Sequence, residues 1–235
     1  MQRLVAAFLV LACLPLEAAT PPALRPELKA ARLDTPPVLD GEIIEDPAWR
    51  GVPVETAFTQ NTPDDGAPVS QRTELRVAYD ADALYVAFVC HDEDPGQIVI
   101  SDARRDGDLD DADSVRLILD TYLDEQNGFV FGTNPSGMQY DGQLSQTGNS
   151  GLNDNWDGVW NVQTQVGEFG WSAEFRIPFK TLRYPSRDVQ LWGANFERRI
   201  LRRHEVAYWS PLGRQFGITR LADAGTIRGI RAGSR

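Results

Sequence analysis

Between Asn155 and Arg183 the chain reads NWDGVWNVQTQVGEFGWSAEFRIPFKTLR, which sets Trp156, Trp160 and Trp171 among Asp157, Glu168 and Glu174. Aromatic faces beside fixed polar groups suit a sugar, because the apolar C–H face of a pyranose lies against an indole while carboxylates, amides and guanidinium groups hold its hydroxyls. The competing role for each tryptophan is a place in the core, which burial statistics favour for any one of them. Tyr140, Asp157, Arg104 and Arg105 are the other residues nearby in sequence that could supply a ring face or hydrogen bonds.

A second constellation is the run Asp106-Gly107-Asp108-Leu109-Asp110-Asp111-Ala112-Asp113. Alternate carboxylates on a loop, here Asp106, Asp108, Asp110 and Asp113, suit Ca²⁺, which takes about six to eight oxygens. The run is not an EF-hand, since its sixth position is Asp111 rather than Gly and its twelfth is Leu117 rather than Glu. The alternative is a solvated acidic loop paired with Arg104 and Arg105.

Catalysis finds weaker support. Glycoside hydrolysis needs two carboxylates about 5 to 9.5 Å apart, and Asp154, Asp157 and Glu174 are near the tryptophans in sequence only. Asp157 before Gly158 reads as a turn cap, and Glu174 alternates with Ser172 and Arg176 on what reads as a wet strand face. Only His91 and His204 are available for a histidine-based triad or zinc site. Haem ligation would have to draw on Met138, Lys180 and His204, which are spread along the chain.

The elements that must position these residues are strands. Period-two alternation occurs over residues 75–79, 84–90, 97–100, 114–119, 128–133, 138–145, 159–165, 171–177, 189–198 and 216–221, separated by Gly, Pro, Asn and Asp. Helical signals are confined to short turns near 45–49 and 178–182. This predicts an all-β fold, an antiparallel β-sandwich of about ten strands with one or two short helical turns. At 235 residues, 42% of them hydrophobic, one sizeable core is expected.

The N-terminus carries Arg3, an apolar run from Leu4 to Leu16 and then Glu17-Ala18-Ala19, the pattern of a secretory signal over residues 1–19 and too short to span a bilayer. Residues 20–30 are Pro-rich and read as a leader, with the sandwich expected over 31–230. Export makes a periplasmic, cell-surface or outer-membrane-associated location the expectation. Loss of Arg3 and Glu17 with the signal would leave the net charge of −11 unchanged, which argues against nucleic acid as a partner. Cys13 lies within the signal and Cys90 ends the alternating run 84–90, where it reads as a small core residue.

Leu39-Asp40-Gly41-Glu42 with Asp46 and Trp49, Val77-Ala78-Tyr79-Asp80 with Leu84-Tyr85-Val86, Asp113-Ser114-Val115 leading to Leu119-Asp120, and Trp171 to Pro178 together resemble the family 9 carbohydrate-binding modules. The likeness covers most of residues 31–225. It is most similar to versions found at the N-terminus of exported bacterial proteins that continue into a much longer region resembling an outer-membrane β-barrel. The resemblance implies an exported, non-catalytic sandwich that binds oligo- or polysaccharide, with a role in carbohydrate catabolism. The alternative it leaves is an accessory module of an outer-membrane protein that binds no sugar.

In well-described members, two tryptophans clamp a terminal sugar. The resemblance carries one of them onto Trp209 of Tyr208-Trp209-Ser210-Pro211, with Asn195 and Arg198 on the preceding strand pointing to the same end. Residues 106–112 hold no aromatic for the other, so Trp156, Trp160 or Tyr140 would have to supply the second face.

Overall fold

The computed structural model describes residues 25–145 and 151–232, so the expected signal and residues 20–24 of the leader lie outside the described residues. Fourteen strands run in chain order: β1 (Glu27–Lys29), β2 (Ala31–Arg32), β3 (Thr59–Thr62), β4 (Thr73–Tyr79), β5 (Ala83–His91), β6 (Ser114–Asp120) and β7 (Asn127–Thr133), followed by β8 (Tyr140–Ser145), β9 (Gly151–Asn153), β10 (Asn161–Gly167), β11 (Gly170–Pro178), β12 (Gln190–Ile200), β13 (Glu205–Tyr208) and β14 (Gly225–Ile230). The remaining regular structure is short 3-10 turns, two of them, 47–49 and 179–181, where helical signals were read.

The strands form two sheets. The large sheet has nine strands in the order β1-β14-β12-β6-β7-β8-β9, with β13 pairing to β12 and β3, and the small sheet has the order β10-β11-β5-β4-β2. The expected β-sandwich is therefore present. Two pairings depart from the antiparallel expectation, since β1 runs parallel to β14 and β2 parallel to β4. The sandwich also begins at Glu27 rather than at Ala31, because Leu28 and Ala30 are buried in its core.

Alternation decides what faces what. Val115, Leu117 and Leu119 of β6, Phe129 and Phe131 of β7 and Trp192, Ala194 and Phe196 of β12 point into the space between the sheets. There they meet Leu75 and Val77 of β4, Val86 and Phe88 of β5 and Phe175 of β11. Each sheet also has a covered outer face. Leu33, Ile43, Trp49 and Val52 pack over Ala78, Tyr85, Ala87 and Val89 of the small sheet. Leu212, Ile218 and Leu221 pack over Ile118, Val130 and Leu144 of the large sheet. The expected strand at 216–221 is part of this covering loop, and its apolar residues face the sheet without pairing to it.

Candidate functional site

The loop over the large sheet leaves part of that outer face open, as a cleft of about 570 Å³. Its floor comes from the strand positions that alternate away from the core. Arg116 of β6 stands opposite Glu197 of β12, and Glu197 stands opposite Tyr208 of β13. Arg116 Nη1 donates to Glu197 Oε1 at 3.1 Å, and its other terminal nitrogen donates to Asp110. Arg199, next outward on β12, reaches the same Asp110 oxygen at 2.9 Å. Tyr140 of β8 forms a wall, with the Arg116 guanidinium carbon 6.0 Å from its ring centroid. Asn61 of β3, Leu152 of β9 and residues 217–219 of the covering loop close the rim.

One glycine is required by this packing and another marks its open rim. Gly132 faces Arg116 across β7, and a Cβ there would lie 2.6 Å from Leu109 Cδ1 and 3.1 Å from Arg116 Cγ. Gly217 borders open space, where a Cβ would meet only Tyr208 Oη at 4.0 Å.

The electrostatics are those of fixed hydrogen-bonding groups. Burial alone would lift the Asp110 carboxyl, but Arg116 and Arg199 overcome it and hold the group below the usual carboxylate range. Burial, with Glu197 beside the phenol, pushes Tyr208 well above the ordinary tyrosine range, so it stays protonated. A neutral phenol, two paired arginines, the carboxylates that hold them and an open tyrosine face can meet several hydroxyls and one ring face.

Of the residues singled out from sequence for a sugar, Tyr140 alone lines this cleft. Trp209 is 2% exposed and faces the core, edge-on to Phe196 at 5.5 Å and packed against Gly225. This corrects its assignment as a stacking platform. Trp160 is equally buried, stacked on Phe175 at 5.7 Å and 6°. Trp156 is half-buried and packs on Phe129 and Phe131. Asn195 donates to Ser210 O at 2.9 Å inside the protein. Arg198 crosses between the sheets, donating to Arg72 O, Thr73 Oγ1 and His91 O at 2.8 to 3.0 Å. Neither reaches the surface.

Arg105 links Asp157 at 2.9 Å to Gln139 and the buried Asp141, which ties the 156–158 turn to β8. Arg104 is exposed beside Asp102. The four aspartates proposed as calcium ligands have separate partners. Asp106, with φ +57, lies beside Arg105; Asp108 caps the turn at 109–111; Asp110 holds the arginines of the cleft; and Asp113 is buried, accepting from Leu201 N at 3.0 Å. Among the described residues no three His, Cys, Asp or Glu side chains gather as a metal-holding group.

Glu174 is not on a wet face. It is fully buried and accepts from Trp49 Nε1 at 2.8 Å and from the amides of Gly41 and Asp40. Cys90 is buried as expected, and burial pushes its thiol up to about 11.

Residues 39–200 match the family described as Carbohydrate family 9 binding domain-like. The chain belongs to this family. Among solved structures with the same fold is one titled a "putative carbohydrate-binding protein" from Bacteroides uniformis, at 16% identity and a TM-score of 0.69, covering 87% of this chain and 99% of that one. Two others are family 9 carbohydrate-binding modules from Caldicellulosiruptor kristjanssonii at 17% identity. The glucose complex has a TM-score of 0.57 and covers 86% of this chain and 95% of that one; the cellotriose complex has 0.55, with 89% and 95%. Comparison with curated proteins gives no match.

Within the family 9 frame, the residues that sequence reasoning missed are Arg116, Glu197, Arg199 and Tyr208. For Arg116 the signal is a charged side chain at the outward position of an otherwise apolar strand, Ser114-Val115-Arg116-Leu117.

Proposed function

We propose that this family 9 domain binds oligo- or polysaccharide without chemical change, in the cleft on the outer face of the large sheet. The observation that carries the reading is the cleft itself, about 570 Å³, which places Tyr140 and Tyr208 beside Arg116, Glu197 and Asp110. That volume suits one or two sugar rings. Its hydrogen-bonding groups are pre-set by the strand pairs β6–β12 and β12–β13, so little ordering is required on binding. The family match and the sugar complexes of the two Caldicellulosiruptor modules support the ligand class.

Export to the periplasm, cell surface or outer membrane is proposed from the apolar run at Leu4–Leu16. A role in carbohydrate catabolism beside an outer-membrane β-barrel is proposed with it.

A glycan array followed by calorimetry on the whole chain tests the sugar site. One class of neutral glycan should bind saturably, and Gly217→Leu, which grows into open space, should remove that binding with the melting temperature unchanged. No binding across the array at millimolar ligand would favour the accessory-module alternative, consistent with the burial of every tryptophan except Trp156.

A further inference from the structure

A second cleft, of about 440 Å³, opens where the N-terminal segment passes from one sheet to the other. β1 pairs with β14 through Lys29 and Arg228, Ala30 N donates to Arg228 O, and β2 then pairs with β4 through Arg32 and Tyr79. Lys29, Arg32 and Arg231 all line the cleft, together with Tyr79, Pro53 and Val189. No carboxylate is among its lining residues.

Pairing within the segment sharpens the contrast. Arg228 is neutralised by Glu27, its neighbour across the β1–β14 pair. Lys29, Arg32 and Arg231 have no ion pair or side-chain hydrogen bond among the described residues. Acidic residues outnumber basic ones 34 to 23 in this chain, so three cations around one concave space with no carboxylate in its lining are a local reversal of its charge. Backbone pairing holds the Cα positions of Lys29 and Arg32, and Arg231 follows directly on the end of β14. The Lys29 stem lies along Gly229, whose φ is +86, and a Cβ added at Gly229 would stand 3.5 Å from Lys29 Cγ.

We infer that this cleft is an anion site for the carboxylate, sulfate or phosphate group of a small ligand, separate from the sugar cleft. Three cationic side chains line the space such a group would enter, and Val189 and Pro53 offer apolar contact to whatever carries it. The overall charge of −11 selects a small anion over an extended anionic surface, which the rest of the molecule would repel.

Calorimetry and amide chemical shifts of the whole chain, titrated with inorganic phosphate, sulfate, glucuronate and neutral glucose, test the proposal. At least one of the three anions should bind saturably at millimolar concentration, with shifts confined to residues around 29–32 and 229–231. Which anion does so distinguishes a carboxylate-bearing sugar from an oxyanion. Binding should fall about tenfold or more in Arg32→Gln/Arg231→Gln and weaken with added salt, as expected for exposed cations. It should persist in Gly217→Leu, which separates its failure from failure of the sugar site. Both arginines are exposed, so the double variant should fold; should it not, Lys29→Gln alone gives the same readout. No saturable shift with any anion up to about 20 mM, a range in which even millimolar sites fill, would overturn the inference. So would anion binding indifferent to the substitutions.

Discussion

Glu197 and Glu174 are both buried glutamates on outer strand faces, one in each sheet, and their surroundings are opposite. Glu197 faces Arg116 at 3.1 Å beneath an open cleft. Glu174 has no cation bonded to it and is sealed under the 39–49 segment, where two amides and the Trp49 indole donate to it. Desolvation therefore dominates at Glu174 and lifts its carboxyl to about 7, although those donors oppose the rise. The difference teaches how one sandwich uses its two exteriors. One carboxylate is neutralised so that the space above it can stay open, and the other anchors a cover. The Leu39-Asp40-Gly41-Glu42 motif that carries part of the family likeness is a piece of that cover.

Removing the cover's anchor should be the costliest change. Trp49→Ala deletes a buried indole and one donor to Glu174, and chemical denaturation should show a loss of about 3–5 kcal/mol. Trp209→Ala should cost a similar amount, because Trp209 lies in the core and not in the cleft.

Glu174 should also make stability depend on pH. Its folded pKa is raised from an ordinary 4.5 to about 7, so the folded state binds the proton more tightly than the unfolded one. Its contribution is fully present below about 4.5 and is lost as pH rises through about 7, an effect on the order of 3 kcal/mol. Melting temperature against pH should decline over that window in the native chain, and Glu174→Gln should flatten this part of the decline. An unchanged profile in the variant would mean that Glu174 titrates normally.

Gly41→Ala comes next. Gly41 has φ +85, and a Cβ there would lie 2.7 Å from the Thr164 carbonyl carbon, so a loss of about 1–3 kcal/mol is expected in the same denaturation assay. On the open face the balance reverses. Tyr140→Ala should change stability by less than about 1 kcal/mol, since its ring is half-buried, while weakening glycan binding in calorimetry about tenfold. A large stability loss there would make Tyr140 part of the cover and erase the contrast between the two faces.

Long alternating strands were legible in the sequence because their side chains report two environments at once. β4, β5, β6, β7, β11 and β12 fall within a few residues of the expected segments. β3, with Thr59-Gln60-Asn61-Thr62, carries no apolar alternation, and its place is set by pairing with distant β13. β1 and β2 lie within or beside the Pro-rich leader and are held by parallel partners remote in sequence, which no local pattern reveals. Residues 216–221 show the converse error, since apolar spacing alone does not separate a strand from a loop laid over a sheet.

The site failed at one position of phase. Tyr208 ends β13 and Trp209 follows it directly, with the phenol on the cleft side and the indole in the core. The resemblance pointed to the larger ring, whereas the outward one is Tyr208. Arg116 could have been found without the structure, as a lone guanidinium among apolar residues needs a partner. That its partner would be Glu197, 81 residues later, could not.

The first and last strands of the sandwich lie side by side and run the same way, with Glu27 to Lys29 against Thr226 to Arg228. A pull on Pro26 against a pull on Arg231 would load these two strands along their length in opposite directions. Their hydrogen bonds would share the force and yield together rather than one after another. Traction between these two points should therefore meet its resistance at this short pairing, which a single-molecule extension experiment would register as one abrupt rupture.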